Sequence, residues 1–324
     1  MSSGSSGWSW SWSFKLSQFE APIGVLCGGP SAEREISLQS GQAVYEALRL
    51  IGLPVELLVL SKNPQEIPGQ LRQANLGCAF VVLHGPYGED GTLQALLEEL
   101  HIPYTGSSAE ACHFAMDKVS SRRRWLGAKL PVPKWVEAGP INAQIRTQGL
   151  PFPIVVKPVA QGSSFGMSIV DRPEEIPEAV EKAASYGERI LLEEYLPGPE
   201  VTVGILEDQP LPVVQVIPKR RFYDTVAKYT PGMTQYLVPA PLPEETRRRV
   251  QDLALAAHEA LGCRSFSRVD MILSSRRGPV LLELNTIPGM TKHSLLPKAA
   301  AAAGIDFPEL CHRMLASALT PLET

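Results

Sequence analysis

The sequence predicts an α/β protein, with an open parallel sheet in its N-terminal part and α+β character in its C-terminal part. In the first third, apolar runs at 23–27, 55–60 and 78–83 alternate with helical segments, which is typical of a parallel sheet. Further along, the runs at 201–206 and 211–217 follow each other closely, which indicates an antiparallel hairpin. Because open parallel sheets bind ligands at the carboxyl ends of their strands, the loops after the first and third runs are candidate sites.

Length and composition narrow the classes of function. The chain has 324 residues, which predicts about two or three domains. Its net charge of −4 gives no basic footprint, so nucleic acid is not an expected partner. The 5 cysteines form no Cys-x-x-Cys pair, which argues against a disulfide framework or a zinc site and favours a reducing cytosol. No apolar run approaches the ~20 residues of a membrane span, so no membrane association is expected.

The first 19 residues do not have the composition of a folded segment. They combine the linker sequence Ser-Ser-Gly-Ser-Ser-Gly with a Trp-Ser repeat, and they lack the basic region, apolar core and cleavage site of a signal peptide. We interpret residues 1–19 as an added tag. The alternative is a strand of alternating tryptophans.

The turn 28–31 and the helix after it form the first candidate site. A strand, a glycine turn and a helix start bring backbone N–H groups to one place, although the Gly-x-Gly-x-x-Gly fingerprint of dinucleotide sites is missing. Glu33 is either a carboxylate for a substrate ammonium group or a helix-start residue that favours the dipole. His84, at the end of the third run, is either a site residue or a loop histidine that orients its own backbone.

The middle of the chain carries a second candidate site. Asp117 has the position of an N-cap, Lys118 opens a helix, and the arginine run 122–124 of that helix is expected to be solvated surface. The strand 152–158 contains Lys157 and leads into a Gly/Ser-rich loop, 159–167, before the chain returns as a strand. Small residues let backbone amides approach phosphate oxygens, and the lysine adds a cation. The pattern therefore predicts a hairpin lid over a phosphate group, distinct from a Walker loop.

The region after residue 190 predicts a hinge and a long loop. An apolar strand at 190–194 breaks at Pro197-Gly198-Pro199, so its free backbone groups could contact an adenine edge and Glu200 the ribose hydroxyls; the alternative is an ordinary strand end. Residues 221–237 form a long polar stretch without a regular pattern, and loops of that length are usually functional or disordered. Residues 243–261 form an amphipathic helix, on which His258 is expected at the surface.

Two strands near the C-terminus carry the densest group of polar residues. Side chains alternate along a strand, so Arg268 shares a face with Asp270, and Glu283 shares one with Asn285. Pairing these strands would bring two carboxylates, an amide oxygen and a guanidinium together. Such oxygens are the ligands that Mg²⁺ selects, and the arginine suits a phosphoryl group in transfer. The alternative is a strand pair with a solvated polar face.

The ordered set of motifs resembles the D-alanine–D-alanine ligase family of the ATP-grasp superfamily. The resemblance covers nearly the whole chain after residue 19. The segments that carry it are 28–35 (GGPSAERE), 84–92 (HGPYGEDGT), 116–118 (MDK), 161–164 (QGSS), 227–229 (AKY), 267–270 (SRVD) and 283–291 (ELNTIPGMT).

The resemblance implies roles for individual residues of this chain. The residues implied in ATP binding are Lys118, Lys157, Ser163, Ser164, Glu193, Glu194, Leu196, Glu200 and Lys228. The implied metal ligands are Asp270, Glu283 and Asn285. The implied catalytic residues are Glu33, Ser163, Tyr229, Arg268 and Gly289, and the implied substrate-binding residues are Glu33, His84, Ser294 and Leu295.

The resemblance also implies an activity and its requirements. ATP would phosphorylate one D-alanine to an acyl phosphate, and the amine of a second D-alanine would displace the phosphate to form the dipeptide, a peptidoglycan precursor. The implied cofactors are two Mg²⁺ ions, with Mn²⁺ as a substitute and a monovalent cation such as K⁺ as an activator. The implied protein is a cytoplasmic homodimer. Tyr229 would favour an amine as second substrate, since depsipeptide-forming relatives tend to lack a tyrosine there.

The implied fold is an N-terminal α/β domain at 20–101, followed by a two-part ATP-grasp fold. Its central subdomain spans 102–195 and carries the lid, and its C-terminal subdomain spans 196–324 and carries the metal site. Two other functions remain open at this point. One is an ATP-grasp ligase for a different amino acid, and the other is a nucleotide-binding protein without catalytic activity.

Overall fold

The structure is a computed structural model that describes residues 21–138, 147, 149–316 and 318, except for the side chains of Thr225 and Tyr229. The tag predicted at residues 1–19 lies outside the described residues. Within them the chain forms three β-sheets with helices packed on and between them.

The N-terminal part is a parallel sheet, as the alternation of strands and helices predicts. Its elements are β1 (Ile23–Gly28), α1 (Arg34–Leu50), β2 (Val55–Leu60), α2 (Ile67–Ala74), β3 (Cys78–Val81) and α3 (Thr92–Glu99). The strand order is β2-β1-β3, with both pairings parallel. The carboxyl ends of β1 and β3 are therefore neighbours, so the glycine turn and His84 lie at the same edge of the sheet.

The middle of the chain forms an antiparallel sheet of four strands in the order β4-β7-β5-β6. Its elements, with the two helices that precede it, are α4 (Ala109–Met116), α5 (Lys118–Gly127), β4 (Trp135–Ala138), β5 (Ile154–Pro158), β6 (Ser168–Val170), α6 (Ile176–Ala184) and β7 (Ile190–Glu194). Antiparallel pairing of β5 with β6 makes the Gly/Ser-rich loop the tip of a hairpin, which confirms the predicted lid connection. Asp117 caps α5 by accepting a hydrogen bond from the Ser120 amide at 2.7 Å, as predicted.

The C-terminal part forms a sheet of six strands in the order β11-β10-β8-β12-β13, with β9 paired to β8. The elements are β8 (Glu200–Leu206), β9 (Gln209–Pro210), β10 (Val214–Pro218), α7 (Thr225–Tyr229), β11 (Thr234–Leu237), α8 (Glu244–Ala260), β12 (Phe266–Ser274), β13 (Gly278–Asn285), α9 (Leu295–Ala302) and α10 (Phe307–Ala316). The expectation of a stretch without regular structure at 221–237 is wrong in part, because this stretch contains α7 and β11. Strand β11 pairs with β10. The two strands are separated in the chain by α7, so no local sequence pattern indicates this pairing.

Two hydrophobic cores connect these parts. One core joins the α1 side of the parallel sheet to α9 and α10, so the two ends of the described chain pack together. A second core joins α4, α5 and α8 to the C-terminal sheet. The helix that begins with Lys118 is thereby held against the sheet that carries Asp270 and Glu283.

Two residues that the sequence places at the surface are buried. Arg122 is 0% exposed, because its turn of α5 faces the interior while Arg123 and Arg124 face solvent. His258 is also buried, with Nδ1 at 2.7 Å from Ser267 Oγ and Nε2 at 3.2 Å from Asp208 Oδ1. Burial lowers the pKa of His258, so the neutral imidazole is a structural hydrogen-bonding group.

The five cysteines are free thiols in buried positions. In the part of the chain that the structure describes, no helix combines the length and hydropathy that a bilayer span requires.

Trp125 tests the packing of α5 against α8. Its side chain is fully buried, and Nε1 donates to the Ala257 carbonyl at 3.0 Å. We expect Trp125→Ala to lower the free energy of unfolding by about 3–5 kcal/mol, because the cavity and the lost hydrogen bond both cost stability. The neighbouring Leu126 is 51% exposed, so Leu126→Ala should change stability by less than about 0.5 kcal/mol in the same urea titration. Equal losses for the two variants would contradict this packing.

Candidate active site

Two adjoining cavities lie where the three sheets meet. The larger has a volume of about 760 Å³ and is lined by residues of the N-terminal sheet edge, the glycine lid, α7 and the end of β13. The second lies between the four-stranded and six-stranded sheets. The walls of both include Tyr223, Lys228 and Glu283. A molecule in one cavity can therefore contact a molecule in the other.

The predicted pairing of the two polar strands is confirmed. In the register of β12 and β13, Asp270 lies opposite Glu283, and Arg268 lies opposite Asn285. Asp270 accepts hydrogen bonds from Arg268 Nε at 2.9 Å and Nη2 at 2.8 Å, from Thr202 Oγ1 at 2.6 Å and from Asn285 Nδ2 at 3.3 Å. The four polar side chains thus form one group at the junction of the cavities.

Glu283 is only partly buried in this group, with its side chain 25% exposed. Burial opposes its ionisation, but the charges of Lys118, Lys228 and Lys157 outweigh burial and hold its pKa at about 2. The nearest of these contacts is Lys118 Nζ, 3.4 Å from Glu283 Oε2. The carboxylate is thus available to a cation across the normal pH range.

The donor set fits a hard divalent cation. Asp270 and Glu283 lie opposite each other and both line the second cavity, so a polyphosphate beside them would be repelled without added positive charge. Among the described residues, no three His, Cys, Asp or Glu side chains form a metal cluster. A third protein ligand beside Asp270 and Glu283 would therefore be the amide oxygen of Asn285, a ligand type that Mg²⁺ accepts.

Most of the predicted ATP-binding residues line this second cavity. Lys118 Nζ donates to the Gln161 carbonyl at 2.7 Å, which ties it to the lid, and Lys157 Nζ lies 2.6 Å from Glu193 Oε1. The Glu194 carboxylate accepts from the Lys134 amide at 2.8 Å and pairs with Arg277, so its side chain is engaged outside the site. The members that line the cavity are Lys118, Lys157, Ser164, Glu193, Glu194, Leu196, Glu200 and Lys228.

The pKa of Glu200, in the same cavity, is shifted in the opposite direction from that of Glu283. Burial, and next the negative charge of Asp270, raise its pKa from 4.5 to about 8. The folded protein therefore holds Glu200 in the protonated form at neutral pH when the cavity contains no cation. A protonated carboxyl can donate as well as accept a hydrogen bond, which suits a ribose hydroxyl.

Glu33 presents a carboxylate oxygen to the larger cavity. It stands at the N-cap of α1 without a capping hydrogen bond from its side chain, so its contribution to the helix start is limited to the favourable charge at the dipole. Oε1 accepts from the Ser163 hydroxyl, while Oε2 is buried without a hydrogen-bond partner among the described residues. Burial, and next the charge of Glu89, raise the pKa of Glu33. An ammonium group at Oε2 would relieve both penalties.

Glu33, Ser163 and Tyr229 are expected to form a hydrogen-bonded trio, and the structure describes the side chains of the first two. The lid reaches the N-terminal domain through the Ser163 contact to Glu33. The side chain of Tyr229 lies outside the described residues, so its part in the trio stays a prediction.

His84 belongs to a chain of hydrogen bonds that sequence reasoning did not find. Its Nε2 lies 3.0 Å from Ser40 Oγ and its Nδ1 lies 3.5 Å from Glu89 Oε1. Ser40 Oγ also accepts from the Met290 amide at 3.3 Å. The buried serine of α1 therefore connects His84 to the peptide that follows Gly289. The sequence did contain a signal for Ser40: it is a small polar residue seven positions after Glu33, and this spacing places both on the same face of the helix.

Gly289, Ser294 and Leu295 line the far side of the larger cavity. Ser294 is the N-cap of α9, but its hydroxyl makes no capping hydrogen bond and instead accepts from the Thr291 amide at 3.1 Å. A Cβ at Gly289 would come within 2.8 Å of Ser294 Oγ, so a side chain there would disturb this arrangement. A helix N-terminus facing a cavity suits a carboxylate.

Comparisons with known proteins agree with this geometry. A family model described as D-ala D-ala ligase C-terminus matches residues 130–316, and one described as D-ala D-ala ligase N-terminus matches residues 56–107. A D-alanine–D-alanine ligase of Syntrophotalea carbinolica is 46% identical over 297 residues, covering 91% of this chain and 95% of the relative. One of Desulforudis audaxviator is 45% identical, covering 90% of this chain and 97% of the relative.

Solved structures give the same result for the fold. The crystal structure of a D-alanine–D-alanine ligase from Bacillus anthracis complexed with ATP is 31% identical, with a TM-score of 0.80 over 92% of this chain and 97% of that chain. A second structure from the same organism is 34% identical, with a TM-score of 0.82 and the same coverage. The predicted α/β class and ATP-grasp fold are confirmed.

The pKa shift of Glu200 can be tested by measuring how the free energy of unfolding of the ligand-free protein depends on pH. The folded state keeps the Glu200 proton up to about pH 8, whereas the unfolded chain releases it near 4.5. The folded state therefore binds more protons between these pH values, and its contribution makes the free energy of unfolding fall as pH rises through this window. Glu200→Gln should flatten that slope, measured by urea unfolding in EDTA without nucleotide.

The exposed Glu188 supplies the control for this measurement. Glu188→Gln should leave the slope of the wild-type protein unchanged. A Glu200→Gln variant with the wild-type slope would show that Glu200 is not the group that titrates.

Proposed function

The chain belongs to the D-alanine–D-alanine ligase family, and on that premise we propose that it joins two D-alanine molecules to D-alanyl-D-alanine with ATP as the energy source. The products are the dipeptide, ADP and phosphate, formed through a D-alanyl phosphate intermediate. The observation that carries the proposal is the buried carboxylate oxygen of Glu33 that has no hydrogen-bond partner among the described residues, beside the cavity that Glu33 lines together with Arg268. An ammonium site and a guanidinium thus share one cavity, next to a second one whose walls suit a nucleotide and its cations.

The first half of the reaction needs a carboxylate and a phosphoryl group in contact. Glu33 would bind the ammonium of the first D-alanine, and Lys118 and Lys157 would bind the phosphates of ATP. Mg²⁺, or Mn²⁺, held by Asp270, Glu283 and Asn285 would neutralise phosphate charge as the phosphoryl group moves. Because Glu283 lines both cavities, it stands where the two reactants meet.

The second half needs an electrophile held away from water. Arg268 and the Gly289 amide would stabilise the tetrahedral intermediate that forms when the second amine attacks. Ser294 and the amide of Leu295 would bind the carboxylate of the second D-alanine. Tyr229, next to Lys228 on α7, would complete the hydrogen bonds around Glu33 and favour an amine over a hydroxyl as the attacking group.

Contacts between the lid and the 221–224 segment support exclusion of water. Ser164 Oγ donates to the Tyr223 carbonyl at 2.9 Å, and Arg221 pairs with Asp171 through two contacts of 2.6 Å. These contacts join the glycine hairpin to the segment before α7. An acyl phosphate beneath them would be protected from hydrolysis.

The wider setting is part of the same proposal. The dipeptide would serve peptidoglycan precursor synthesis in the cytoplasm, in line with five free buried thiols. A homodimer, activation by a monovalent cation such as K⁺, and a domain division at residues 101 and 195 are proposed from the family alone.

The direct test is phosphate release from ATP and Mg²⁺ in the presence of D-alanine, with mass spectrometry of the product. We expect release that depends on D-alanine, together with a D-alanyl-D-alanine peak. Release with another amino acid only would contradict the substrate assignment. Tight ATP binding without release would contradict the catalytic assignment.

Arg268→Ala should lower the rate by about 10²–10³, since it removes one donor from the developing charge. The exposed Arg276, in the turn after β12, is the matched control, and Arg276→Ala should keep the wild-type rate. An Arg268→Ala variant with more than about half of the wild-type rate would exclude the assigned role.

Ser40→Ala should lower kcat about tenfold, which corresponds to ~1.4 kcal/mol in the barrier. The variant removes the hydroxyl that hydrogen-bonds to both His84 and the peptide after Gly289, so neither group is held in position for the reaction. Ser37 is the control because it lies on the same helix face and is equally buried, but bonds to the Gly28 amide at 2.8 Å and the Val82 carbonyl at 2.7 Å. Ser37→Ala should reduce stability without changing kcat. Equal effects of both variants on kcat would show that Ser40 has only a structural role.

A further inference from the structure

A buried arginine behind the nucleotide cavity is not explained by the roles assigned so far. Arg122, on α5, is 0% exposed and does not line either cavity. Its Nη2 pairs with Glu193 Oε2. Its Nε and Nη1 are buried without a hydrogen-bond partner among the described residues.

Arg122 and Lys157 share a single carboxylate. Lys157 Nζ lies 2.6 Å from Glu193 Oε1, while Arg122 holds the other oxygen. Burial opposes the ionisation of Glu193, but Arg122 and Lys157 outweigh burial and lower its pKa. Burial, and to a smaller extent Arg122, lower the pKa of Lys157, while the Glu193 carboxylate opposes this. With Lys157 protonated, two cations and one anion give the cluster one net positive charge, and of the two cations only Lys157 reaches the cavity wall.

Stability does not account for this arrangement. A buried ion pair is often no more stable than apolar residues of similar volume, and unpaired buried N–H groups add a desolvation cost. An apolar residue at position 122 would remove these costs. It would also leave Glu193 and Lys157 as a closed pair, in which the lysine charge is compensated within the protein.

We propose that Arg122 is a positioning residue that engages half of the Glu193 carboxylate and so leaves Lys157 with charge for the ATP phosphates. This inference rests on the proposed role of the second cavity as the ATP site. It assigns the phosphate affinity of Lys157 to a residue that never touches the nucleotide. It also gives a reason why only the first arginine of the run 122–124 faces inward.

The test compares binding of MgATP with binding of adenosine to Arg122→Met, by calorimetry for ATP and by competition for adenosine. We expect the Kd for MgATP to rise about tenfold while the Kd for adenosine stays within about twofold, because only the phosphates depend on Lys157. Arg122→Lys should recover most of the ATP affinity, since it keeps the charge. Arg123→Met removes the same charge from the exposed face of α5 and should bind ATP as the wild-type protein does.

Equal weakening of ATP and adenosine would overturn the inference, because it would indicate a distorted cavity. Unchanged ATP affinity in Arg122→Met would overturn it as well. If Arg122→Met does not fold, Arg122→Lys and Arg122→Gln form the comparison, and equal ATP affinities for these two would refute the charge argument. D-alanine and turnover do not enter the test, so a different amino acid substrate would refute the proposed reaction and leave this result standing.

Discussion

The constraint on which the rest of the structure depends is the position of Asp270 directly opposite Glu283 on adjacent strands. Like charges in such a pair are destabilising, and burial makes the repulsion stronger. Cations from several elements compensate this repulsion. They are Arg268 from the same strand as Asp270, Lys118 from the start of α5 and Lys228 from α7. When no nucleotide is bound, the negative charges of Asp270 and Glu283 are compensated by cations of the protein itself. The two carboxylates, which are the proposed metal ligands, thus face cations from three elements.

This constraint explains the placement of elements that are distant in sequence. Helix α5 is packed against α8 and the six-stranded sheet through Trp125, which brings Lys118 to Glu283. The lid hairpin is joined to the same lysine through the Gln161 carbonyl and to Glu33 through Ser163. The N-terminal part of the chain therefore contributes the Glu33 carboxylate, the proposed ammonium site, to a cavity that the C-terminal sheet lines with Arg268 and Glu283.

Local patterns were sufficient for the parallel sheet, the Asp117 cap and the β12–β13 face, since each depends on alternation or on one side chain near its own backbone. They failed for α7 and β11, which have five and four residues and are too short to show a period. The interior positions of Arg122 and His258 depend on partners 71 and 50 residues away, Glu193 and Asp208. No local pattern contains such partners, and an arginine run is most often solvated. Ser40 was missed for the same reason.

On the proposed function, the second cavity binds ATP tightly only together with a divalent cation, because Asp270 and Glu283 lie opposite each other in its wall. The most direct measurement is the affinity for a non-hydrolysable ATP analogue, by calorimetry, with Mg²⁺ and after removal of divalent cations with EDTA. The account predicts tight binding with Mg²⁺ and a loss of at least about 10²-fold without it, as expected for a polyanion placed beside a pair of carboxylates. Equal affinities in the two conditions would contradict it.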